Sequence, residues 1–191
     1  MPQDGQNEGT APPDPTNILG LPETIILATY LVLMFALMVH LTIALWQGYN
    51  GNLDKPISLS VLGATTELSP DVWLLAMVMV SGAVGSFIHA GTSFADFVGN
   101  RQATKSWTIW YVLRPLIGSA LAFVMYVALR GGLLTSDVAN KAINVYGFAS
   151  IGALSGLFSK QATDKLKEVF DTLFRTASAE GDGSRKDKLD S

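Results

Sequence analysis

His89, Asp96 and Arg114 stand in a stretch, GAVGSFIHAGTSFADFVGN followed by RQATKSWTIWYVLRPLIGSA, that is otherwise apolar enough to lie in a bilayer. An imidazole exchanges protons near neutral pH, and a guanidinium grips carboxylate or phosphate with paired N–H groups. Ionisable groups at such depth are costly and need a physical reason. At about 100° per residue, Gly82, Gly85, Ser86, His89, Ser93 and Asp96 share one helical face. That face has two main readings, with a catalytic site as a lesser third. It is a packing seam with His89 and Ser93 hydrogen-bonded across it, or a water-lined surface on which His89, Ser93 and Asp96 carry protons or ions. His89 and Asp96 are ~10 Å apart by helical rise, so a relay needs Ser93 or water between them.

Arg114 repeats the small-residue theme, with Gly118 and Ala122 at i+4 and i+8. If Asp96 and Arg114 both lie near one end of their helices, they form an ion pair or act as two separate interfacial anchors. The two histidines do not make a metal site. His40 and His89 differ in depth by ~14 Å on antiparallel helices, whereas zinc ligands sit ~2 Å from the metal. With no cysteine, thiolate metal sites, thiol catalysis and disulfides are excluded. No HExxH, P-loop or nucleophile elbow occurs. The spacing from Lys105 to Arg114–Pro115 is longer than in the lipid phosphatases that use a lysine and an Arg-Pro pair, and the histidine elements of that family are missing. The expectation is a chain that is no enzyme and has no cofactor and no metal.

Four helices are expected to carry these groups. Apolar runs over residues 24–46, 72–95, 109–129 and 142–159 are read as transmembrane spans; the first is ~34 Å long, enough for a ~30 Å hydrocarbon core. Residues 57–62 read as an extended segment outside the bilayer. Trp107, Trp110 and Tyr111 form an aromatic cluster of the kind found at headgroup level. Gly152 and Gly156 make a GxxxG in the fourth span, which with Gly82, Gly85 and Gly118 marks close helix packing against the same chain or another copy. Beyond the fourth span, Leu166, Val169, Phe170, Leu173 and Phe174 recur at helical spacing between charged residues. This predicts that the last span continues as a cytoplasmic amphipathic helix over residues 160–176. Residues 1–22, with five prolines, three acids and no Lys or Arg, and residues 177–191 are expected to be disordered tails.

Composition agrees with an all-α integral membrane protein. Hydrophobic residues make up 49% and charged residues 15%, against about 25% charged in soluble domains. The net charge of −3 offers nucleic acid no electrostatic footing. With four spans, one side carries Arg101, Lys105, Arg114, Lys160, Lys165, Lys167, Arg175, Arg185, Lys186 and Lys188, and the other only Lys55, Arg130 and Lys141. The bias places both termini in the cytoplasm.

The run from GSFIHAGTSFADFVGN through SWTIWYVLRPLIGSALAFVMY to GLFSKQATDKLKEVFDTLF resembles small multi-pass membrane proteins of unassigned function found in bacteria. The resemblance covers residues 72–174. It implies a bacterial inner membrane and supplies no activity or ligand. The expected partners are the bilayer and either further copies of the chain or another membrane protein. The leading expectation is a non-enzymatic protein that works by assembling, as a scaffold or sensor subunit. The alternative is a small oligomeric channel or proton-coupled transporter using the His89 face.

Overall fold

The computed structural model describes residues 17–131 and 144–182, with side chains to residue 172. Three helices are long and apolar enough to cross a membrane: α1 (Leu21–Gly48), α2 (Pro70–Gly99), and α3 (Thr108–Arg130) together with the 3-10 turn Lys105–Trp107 that leads into it. Each reflects a run in which apolar side chains occupy every face, as lipid-exposed helices require.

Helix α1 starts a turn earlier than the sequence reading put it. Pro22 in the first turn supplies a preset φ, and the Gly20 N–H donates to Glu23 Oε2 at 2.8 Å. Ahead of it, Ile18 bridges Thr104 and the Leu19 N–H donates to the Ala103 carbonyl at 2.8 Å. Residues 17–22 are therefore ordered against the α2–α3 loop, which corrects the end of the expected tail. Residues 1–16 of that tail lie outside the described residues.

The segment expected to be extended is one strand of a hairpin, so the fold is not purely helical. β1 (Ile57–Val61) pairs antiparallel with β2 (Ala64–Leu68), with Val61 opposite Ala64 and Ile57 opposite Leu68. The connection is the two residues Leu62 and Gly63, at φ 50° and 86°. Positive φ at both positions is the turn whose twist matches paired strands. Ile57 is buried beside Leu45 and Trp73, so the hairpin caps one end of the bundle. Gly48, at the end of α1, lets the Ser58 carbonyl approach where a Cβ would block it.

Helices α2, α3 and α4 (Val145–Leu157) pack as a trio, while α1 lies along α2. Helix α4 is capped by Asn144, whose Oδ1 accepts from the Gly147 N–H at 3.1 Å. Its 13 residues rise only ~20 Å, against ~30 Å of hydrocarbon. The expected span 142–159 is thus shorter as a helix, and residues 142–143 lie outside the described residues. Nor does it run on unbroken. Phe158 leaves helical geometry at φ −107°, ψ 48°, and α5 (Ser159–Asp182) begins as a separate helix that reaches past the expected boundary at 176. Its early residues Ser159, Lys160, Thr163 and Asp164 line a shallow cleft with Ile117, Ala120, Leu121 and Val124, so α5 turns aside over α3.

Candidate functional site

The five small residues singled out in the sequence meet inside one chain. An added Cβ on Gly82 would strike Ala122 and the Gly118 carbonyl, and one on Gly118 would strike Ser86 and the Gly82 carbonyl. On the other side of α2, Gly85 faces the Ala153 carbonyl, Gly152 faces the Val78 carbonyl, and Gly156 faces the Gly82 carbonyl. Backbones approach this closely only where side chains are absent, and dispersion between them holds helices that gain nothing from hydrophobic burial in lipid. Two hydroxyls lock the α2–α3 contact: Ser86 Oγ donates to the Arg114 carbonyl at 2.7 Å, and Ser119 Oγ to the Met79 carbonyl at 3.0 Å.

These contacts also set the level of each residue. Ser86 lies level with Arg114 on α3 and with the last turn of α4, where Gly156 and Leu157 pack. Below it α2 continues for 13 residues, ~20 Å, without α4 beside it. That lower half holds the expected polar face. His89 and Asp96 are exposed and Ser93 is half-buried, so the face that α4 covers above is left open below. The structure thus divides the six-residue face: Gly82, Gly85 and Ser86 are buried in the seam, and His89, Ser93 and Asp96 lie beyond it.

Asp96 and Arg114 are not paired. Arg114 is level with Ser86, ten residues before Asp96, which separates the two backbones by ~15 Å along the helix. Arg114 thus lies farther from the α2–α3 loop than Asp96 does. Its guanidinium carbon sits 5.1 Å from the Trp110 ring centroid, and its Nε is buried with no hydrogen-bond partner. His89 meets the same indole edge-on, with centroids 6.1 Å apart. Trp110 in turn packs against Trp107 at 5.8 Å and Tyr111 at 5.0 Å. Trp110 was legible as the residue one turn before Arg114 on the same helical face; only the fold adds His89 to it.

The ion pairs the described residues do form fasten the bundle's two ends. Glu23 meets Lys105 at 3.0 Å where α1 begins, and Asp71 meets Arg130 at 2.6 Å where α2 begins and α3 ends. A third, Lys165 to Glu168, lies within α5. Two longer-range bonds tie α1 to its neighbours. Trp73 Nε1 donates to the Leu45 carbonyl and Tyr30 Oη to the Val112 carbonyl, both at 3.2 Å. The pairings between elements were not anticipated, because each depends on the register between distant segments.

His40 is exposed on α1. The Trp73–Leu45 bond and the Leu27–Ala90 packing put it level with residues 77–78, ~17 Å above His89. Among the described residues no group of three His, Asp or Glu is placed to hold a metal. On α5, Leu166 is buried and Phe170 is 47% exposed, while the side chains of Leu173 and Phe174 lie outside the described residues. The chain matches no protein-family model, no curated protein and no solved structure.

Proposed function

We propose that the chain is a non-enzymatic multi-pass protein of the bacterial inner membrane that works by assembly, with α5 as the assembling element. One observation carries this reading: the small-residue seams are filled within the chain, by Gly82 and Gly85 of α2 against Gly118, Ala153 and Gly156. They are therefore not free to bind a second copy. Helix α5 is the remaining candidate. It is 24 residues long, ~36 Å, and carries Leu166, Val169 and Phe170 at helical spacing between charged positions, with Leu166 already buried within the chain. In this reading α4 enters the membrane as a fourth, short span, and the Lys and Arg bias sets both termini on the cytoplasmic side.

The test is the mass of the full chain, and of a chain truncated after Ser159, in mild detergent and in nanodiscs. The expected result is a higher-order species for the full chain that reverts to monomer on truncation. A monomeric full chain with no partner co-purifying from native membranes defeats the proposal.

A second reading rests on a different observation, the half-length of α4. A short helix that breaks beside uncovered ionisable groups is an arrangement used in secondary transporters. In liposomes it predicts a pH-sensitive flux lost on His89→Ala or Asp96→Asn. Leak-free liposomes at every pH exclude it.

A further inference from the structure

We propose that Arg114, Trp110 and His89 form a binding site for the phosphate of an anionic lipid headgroup in the leaflet on the α2–α3 loop side. This stands independently of the assembly reading. The argument begins with an unmatched charge. Arg114 has no carboxylate partner among the described residues, and its buried Nε donates to nothing. A guanidinium keeps its charge at any physiological pH and presents N–H donors in a plane that fits phosphate oxygens bidentately. Held over the Trp110 face, it is oriented before any ligand arrives, which lowers the ordering cost of binding.

The depth is right for a phosphate. With the Asp71–Arg130 pair taken as one membrane edge, Ser86 with Arg114 lies 15 residues further along α2, ~22 Å away. That leaves ~8 Å to the far side of a ~30 Å core, a distance a snorkelling arginine closes. Trp107, Trp110 and Tyr111 are the aromatic residues expected at that boundary.

The site is also open. Because α4 ends level with Ser86, nothing from it covers His89, which adds a ring N–H donor beside the same indole. The other charged groups nearby do not neutralise Arg114. Asp96 is two turns beyond His89, ~10 Å by helical rise, and Lys160 and Asp164 of α5 line the α3 cleft together and offset each other. The surplus positive charge favours a net-anionic headgroup over a zwitterionic one.

The test uses the full chain in phosphatidylcholine nanodiscs containing a minor fraction of phosphatidylglycerol. Native mass spectrometry reads which lipid stays bound. The expected result is enrichment of phosphatidylglycerol over its bulk share, reduced about tenfold by Arg114→Gln, the factor for one charge-assisted contact. Arg114→Lys falls between, and Arg130→Gln, at the opposite end of α3, leaves it unchanged. Bound lipid at the bulk ratio in the wild-type protein overturns the proposal without any variant, and so does equal loss in Arg130→Gln. If Arg114→Gln does not fold, Trp110→Leu and the wild-type enrichment decide. Displacement of the lipid by millimolar inorganic phosphate identifies a soluble anion as the ligand and overturns the lipid assignment.

Discussion

At the scale of single residues, the seam glycines and Leu62 make opposite predictions. Gly85 and Gly156 face backbone atoms of the neighbouring helix, which cannot rotate away as a side chain does. Gly85→Val or Gly156→Val is expected to cost about 3 kcal/mol or more, the upper end for overpacking, and to lower the thermal midpoint in detergent. Gly91 meets only the Phe87 ring at 3.8 Å, so Gly91→Ala is expected to leave that midpoint unchanged or raise it slightly. Leu62 holds a left-handed conformation that suits Asn or Gly, and its side chain is 83% exposed, so nothing is lost by replacing it. Leu62→Asn is expected to stabilise the hairpin by about 1 kcal/mol, read as a higher melting temperature. A lower melting temperature for Leu62→Asn would mean that the leucine packs on something outside the monomer.

At the scale of elements, the early end of α4 is the feature to test. The chain has no cysteine, so single cysteines report on accessibility without background. Cysteines at 89 and 96 are expected to react with a membrane-impermeant maleimide in vesicles opened on the α2–α3 loop side. Cysteines at 83 and 86, buried between helices, are expected to stay unmodified. Equal protection at all four positions would show that α5 or another copy closes the lower half. The spans were legible in the sequence because length and hydropathy are properties of a single run. The second strand was not, since ATTEL has weak alternation and only its pairing with ISLSV through Leu62–Gly63 makes it a strand. The break at Phe158 was also hidden. Hydropathy drops at Ser159–Lys160, but a change of polarity does not by itself break a helix, and neither Pro nor Gly stands at residues 157–160.

At the scale of the whole molecule, the two end clasps and the topology belong together. Glu23–Lys105 and Asp71–Arg130 join helices at opposite ends, so they sit on opposite sides of any membrane that α1, α2 and α3 cross. If α4 inserts fully, cysteines placed at 58 in the hairpin and at 165 in α5 are labelled from opposite sides, and 165 shares a side with 105. Labelling of 58 and 165 from the same side would reduce the bundle to three crossings.

The sequence alone determined the three long apolar helices and the small-residue positions along them, because both follow from residue size and polarity repeated at helical spacing. What only the tertiary structure decided was the level at which each face engages. Gly82 against Gly118, and Gly156 against the Gly82 carbonyl, fix the registers of α3 and α4 on α2. Those registers place Arg114 beside Ser86, leave Asp96 ~15 Å away, and end α4 above His89. A shift of one helical turn moves a side chain by ~5 Å, enough to make or abolish an ion pair, and helical periodicity is the same in every register.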